Sequence, residues 1–127
     1  MSRALACAAG LGLLALVGCA QAPKPLYYWD TFPKQQYSTL LREGGSADEQ
    51  IQLLEAQAEN ARAAHAALPP GFRAHLGMLY LGAGNPQRAR ELWTAEKTAF
   101  PESAAYMDRL LQRLDPPAQA GKTGSPT

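Results

Sequence analysis

The chain has 127 residues, with 12 basic and 11 acidic side chains and two cysteines. That length fits one domain with a modest core. A charge so near balance leaves no basic stripe to condense onto phosphates, which argues against nucleic acid as a partner.

The N-terminus reads as a targeting segment. Arg3 supplies a positive start, and residues 4–17 carry no charge and no strong breaker except Gly. A run of that length is a secretory signal, too short for a comfortable membrane span. It ends in Leu16-Val17-Gly18-Cys19, where small residues suit a peptidase cleft and the Cys19 thiolate is the nucleophile for thioether formation. This resembles the lipobox of bacterial lipoproteins, which implies that residues 1–18 are removed and that Cys19 becomes the lipid-bearing N-terminus. The competing reading is an ordinary signal peptide with a chance cysteine. With Cys7 discarded and Cys19 acylated, the mature chain holds no disulfide, so its core alone must stabilise it. Several acyl chains anchor firmly because each buried methylene adds about 0.8 kcal/mol. Position 20 is Ala rather than Asp. In lipoproteins of this kind that implies a lipid anchor on the periplasmic face of a Gram-negative outer membrane.

Residues 19–32 read as a short tether ending in aromatic residues: Tyr27, Tyr28, Trp29 and Phe32, with Tyr37 soon after. About seven residues separate Cys19 from the first ring, a reach of at most ~25 Å, which keeps the domain close to its membrane. The rings have three readings: packing the first helix onto the domain, anchoring at the headgroup zone, or forming a partner hot spot. On the last reading Tyr28 and Trp29 are partner-binding candidates.

Residues 33–114 carry helical periods and no convincing alternation of period two. Pro33 opens a short helix through Tyr37, Leu40 and Leu41, which Gly44-Gly45 terminates. Ser46-Ala47-Asp48-Glu49 is a capping box. Behind it Ile51, Leu54, Ala58, Ala61, His65 and Leu68 make one apolar stripe, and Pro69-Pro70 stops the helix. A further helix starts near Gly71 and carries Phe72, Leu76, Leu79 and Tyr80 inward, until Gly82–Asn85 breaks it. Pro86 restarts the chain behind an Asn85 cap, and that helix buries Ala89, Leu92 and Trp93 before Pro101. Ser103 is the expected cap of a last helix with Tyr106, Met107, Leu110 and Leu114 inward. Residues 115–127, "DPPAQAGKTGSPT", are too polar and too rich in Pro and Gly to bury a core and read as a disordered tail.

The spacing Leu76-Gly77-x2-Tyr80, Ala89-x3-Trp93 and Pro101 resembles the tetratricopeptide repeat, whose period is about 34 residues. Small Gly77 and Ala89 would let two helices approach closely, with Tyr80 and Trp93 filling the space beside them. Arg73 stands where the repeat prefers Trp, and Glu96 where it prefers Ala. One repeat cannot bury its apolar face alone, so the helices on either side must act as a degenerate preceding unit and a closing cap. The expected fold is all-α, a small tetratricopeptide-like bundle of about five helices. In such repeats the inner helix presents a concave groove; carried over by position, Ala74, Met78 and Leu81 would line it. Their apolar character requires a cover, which the aromatic segment is expected to supply ahead of a partner.

Little in the chain points to catalysis. Gly82-Ala83-Gly84 lacks the third Gly, the preceding strand and the lysine of phosphate-binding loops. His65 and His75 are the only histidines, and two ligands do not make a zinc site. Ser38, His75 and Asp108 supply the residue types of a hydrolase triad, but no nucleophile elbow orders them. No enzyme activity, cofactor, metal or small-molecule substrate is expected.

The phrases "APKPLYYW", "PPGFRAHLGMLYLGAGN" and "FPESAAYMDRLL" together resemble a family of short bacterial lipoproteins carried as a domain of unknown function. Its members are commonly encoded beside lipoproteins resembling the curli secretion channel. The resemblance runs from about Ala22 to Leu114. It implies an outer-membrane, periplasm-facing accessory protein that helps assemble or stabilise an envelope complex such as a curli-channel-like pore. The competing readings are a pilotin, an activator of cell-wall synthases and, more remotely, a periplasmic hydrolase.

Overall fold

Local capping chemistry sets most of the helix boundaries. A computed structural model describes residues 23–115; the signal segment, Cys19 and residues 116–127 lie outside them. Five helices follow in chain order: α1 (Phe32–Leu40), α2 (Ala47–Ala63), α3 (Phe72–Gly82), α4 (Pro86–Ala99) and α5 (Ala104–Leu114), with a single 3-10 turn, Pro101–Ser103, before the last. No strand occurs among the described residues. None of the helices there is long and apolar enough to cross a membrane.

The Ser46 capping box forms as expected, with Glu49 N–H donating to Ser46 Oγ at 3.2 Å and Ser46 N–H to Glu49 Oε2 at 3.0 Å. Asn85 also caps as expected, its Oδ1 accepting from Arg88 N–H at 3.0 Å. Ser103 does not cap α5. Its hydroxyl donates instead to the Phe100 carbonyl, 2.7 Å away, because the 3-10 turn occupies the position where a cap would sit.

Three helices end alike. Arg42, His65 and Gly84 each adopt a left-handed backbone, at φ 59°, 51° and 82°. At each, one N–H reaches back across the last turn, Arg42 to Thr39, His65 to Arg62 and Gly84 to Leu81. The following N–H closes a wider ring, Glu43 to Ser38, Ala66 to Ala61 and Asn85 to Tyr80. These bonds satisfy carbonyls that a helix end otherwise leaves orphaned. They also correct two expectations. α1 stops at Leu40, before Gly44-Gly45 is reached, and α2 stops at Ala63 rather than at Pro69. His65 is accordingly an exposed turn residue and not part of the apolar stripe.

Two buried clusters hold the helices together. One joins Phe32 of α1, Ile51 and Leu54 of α2, Phe72, Leu76 and Leu79 of α3, and Leu92 of α4. The other joins Ala89 and Trp93 of α4 to Met107 and Leu110 of α5. Tyr80 packs against both. Each fully buried large side chain contributes roughly 1.5–3 kcal/mol by leaving water. The α3–α4 hairpin is the tightest pairing, and Gly77 explains why. The space a Cβ would fill there is taken by the Trp93 indole, whose Cδ1 lies 2.7 Å from that position. Trp93 Nε1 donates to the Ala74 carbonyl at 3.1 Å. Gly77 is therefore small enough to admit Trp93.

Candidate functional site

Two buried glutamines on α2 determine where the aromatic segment goes. Gln57 Nε2 donates to the carbonyls of Trp29 and Tyr28, at 2.8 and 3.3 Å, and its Oε1 accepts from the Thr31 hydroxyl at 3.2 Å. Two turns earlier, Gln50 Nε2 donates to the Gly45 carbonyl at 3.3 Å, while its Oε1 accepts from the Thr39 hydroxyl. The pair thus grips both ends of α1. Tyr28 N–H adds a bond to the Ala67 carbonyl at 2.8 Å.

Held this way, the aromatic segment belongs to the folded domain and not to a free tether. Phe32 is buried against Phe72 and His75, with ring centroids 5.1 and 5.9 Å apart. Tyr27 meets Phe100 edge-on at 5.9 Å. Tyr28 is half-buried and Trp29 exposed. None of these rings lies over Ala74, Met78 and Leu81, so the expected self-cover is absent among the described residues.

Ala74, Met78 and Leu81 recur at helical spacing along one side of α3. Met78 is 47% exposed, and Leu81 is also exposed. Ala74 and Met78 form one wall of a cleft of about 350 Å³ whose other wall is Tyr106, Met107 and Leu110 of α5. Gln36 of α1 also reaches it, and Leu40, 77% exposed, stands one turn further along that helix. Tyr106 is 58% exposed. α3 and α5 therefore supply the apolar walls of the cleft, and α1 reaches it through Gln36. Tyr28 and Trp29 do not line it.

Glu96 closes the inner end of the cleft. It is only 1% exposed, and its Oε1 accepts from Gly71 N–H at 2.6 Å. A carboxylate there complements the positive N-terminal end of α3, which has no cap of its own. Glu96 Oε2 has no partner. His75 also lines the cleft, with Nε2 3.4 Å from the Thr39 hydroxyl. Burial holds its imidazole below the ordinary histidine value.

A second polar cluster ties α2, α3 and α4 together. Tyr80 OH donates to Glu55 Oε1 at 2.9 Å, and the Arg88 guanidinium sits 5.8 Å over the Tyr80 ring. Arg88 also pairs with Glu91 at 3.0 Å and Glu55 at 3.5 Å. Burial first, and the Glu55 carboxylate second, push the Tyr80 phenol upward.

Two of the three hydrolase-type residues, Asp108 and His75, have other partners. Asp108 is paired with Lys97 Nζ at 2.7 Å and His75 faces Thr39. No group of three or more metal-ligating side chains occurs among the described residues. Asp115, counted with the tail in the sequence reading, is engaged by Arg90 in two hydrogen bonds of 2.7 and 2.8 Å.

Gln50, Gln57 and Glu96 carry much of this arrangement, and sequence reasoning did not single them out for it; Tyr106, expected to face inward, is instead exposed on the cleft wall. The first two had a signal. Gln50, Leu54, Gln57 and Ala61 recur at spacings of three and four, the same period as the buried stripe. Glu96 had one too, as a charged residue where the repeat pattern wants a small one.

Searches of curated proteins and of solved structures gave no match. Residues 26–110, from the aromatic segment to Leu110 in the cleft wall, match the family described as Domain of unknown function (DUF4810). The chain belongs to that family.

Proposed function

We propose that this chain is a lipid-anchored helical adaptor on the periplasmic face of the outer membrane, which helps assemble or stabilise an envelope complex such as a curli-channel-like secretion pore. The supporting observation is the open apolar face built by α1, α3 and α5. Met78 and Tyr106 keep large apolar surface in water on facing walls of one cleft, with Leu81 and Leu40 also exposed on α3 and α1, and exposed apolar surface gathered in this way marks an interaction site. In a tetratricopeptide-like reading these three are the inner helices, and the cleft is their concave groove. In this reading the role is non-catalytic, and the groups of the cleft position a partner.

Capture of the native lipoprotein from membranes tests the assignment. Co-purification of a channel-type lipoprotein supports it, whereas recovery of cell-wall synthases alone would move the protein to the activator class. The anchor has its own test. Cys19→Ala should abolish acylation and release the chain from the membrane fraction or leave an unprocessed precursor; unchanged acylation and fractionation would sink the anchoring claim.

A further inference from the structure

A purely apolar groove needs no ionisable group at its inner end, and this one has a carboxylate there. Glu96 is nine-tenths buried and more, one of its oxygens is taken by Gly71 N–H, and the other has no partner. A second carboxylate, Glu102, stands exposed at the rim. The described lining contains no lysine or arginine. The cleft therefore combines apolar walls with unbalanced negative charge.

From this we infer that the cleft takes a protein segment in which one lysine or arginine is flanked by apolar side chains. This rests on the adaptor reading and names the partner's chemistry. The apolar residues lie against Met78, Tyr106 and Leu110. The cation enters past Glu102 and is held by the negative charge of the buried Glu96 carboxylate. A carboxylate set in a low-dielectric lining attracts a nearby cation more strongly than one in open water. Extent favours a polypeptide over a small amine. Ala74 to Leu81 alone spans about 10 Å of helix, and α5 adds Tyr106 to Leu110 on the facing wall.

The test uses the full-length protein in detergent and a displayed library of random twelve-residue peptides. Selection should enrich peptides with one basic residue between apolar ones. Changing that residue to norleucine in a selected peptide should weaken binding at least tenfold by fluorescence anisotropy, and this arm needs no altered protein. Glu96→Gln should cause a similar loss while Glu102→Gln causes a smaller one, with circular dichroism confirming that each variant folds. Enrichment of acidic or purely apolar peptides overturns the inference, as does no enrichment, or norleucine peptides that bind equally well. If deleting residues 116–127, which include Lys122, tightens binding tenfold, the chain's own tail is the occupant and the inference also fails. Reversible dimerisation lost on Met78→Glu would likewise assign the cleft to a second copy. The adaptor reading fails separately, when no envelope partner is found at this face in intact membranes.

Discussion

Gly77 and Gly82 lie on the same helix and should respond oppositely to one methyl group. At Gly77 a Cβ would meet the Trp93 indole, and the indole is held by its bond to the Ala74 carbonyl. Gly77→Ala should therefore cost about 1–3 kcal/mol through overpacking and alter the near-ultraviolet dichroism of Trp93. At Gly82 the same position is open, so Gly82→Ala should be neutral or stabilising by up to about 1 kcal/mol. Urea unfolding of the two variants checks the contrast; equal effects would contradict it. Gln57 is the other decisive residue. Gln57→Leu keeps the volume but removes the partner of the Tyr28 carbonyl and of the Thr31 hydroxyl, and leaves the Trp29 carbonyl with Phe32 N–H alone, at a cost of about 1–3 kcal/mol. Hydrogen exchange should then speed up at Tyr28, whose amide is bonded in the same segment.

At the scale of elements, the helix ends divide the chain into what its sequence discloses and what it does not. Ser46, Asn85 and Gly84 act through neighbours three to five residues away, so their roles can be read locally. His65 also acts locally, but a histidine in the left-handed region carries no sequence mark, and α2 consequently looked several residues longer than it is. His65→Gly should stabilise the protein by about 0.5–1 kcal/mol, because Gly adopts that backbone without the Cβ penalty; thermal or urea unfolding measures it. The buried glutamines were hidden for another reason. Their amides are satisfied by partners brought in from distant sequence, and burial of a polar residue is invisible until those partners are known. α1 against α3 adds a pH dependence. The folded protein holds His75 below its ordinary value of 6.5, so the unfolded chain binds the proton more readily. Stability from this site is thus complete above about pH 6.5 and declines as pH falls through that value. His75→Gln should flatten this part of the stability profile.

For the whole molecule, the all-helical architecture, the α3–α4 hairpin and the apolar side of α3 were legible in the spacing of Leu76, Gly77, Tyr80, Ala89 and Trp93. The exposure of that side was not. It depends on where Gln57 docks the aromatic segment, which is a matter of tertiary contact rather than period. Met78 projects into solvent, so Met78→Glu should leave the melting temperature within a few degrees of the unaltered protein while removing partner capture; a collapse of stability would mean the side chain serves the core. The central claim is that the face built by α1, α3 and α5 is where a partner docks. A photo-crosslinking residue at Met78 in the lipidated protein, compared with one at exposed Leu53 on α2, tests it in intact membranes. The account predicts a discrete adduct with an envelope protein at Met78 and none at Leu53. No adduct at Met78, or the same adducts at both positions, would contradict it.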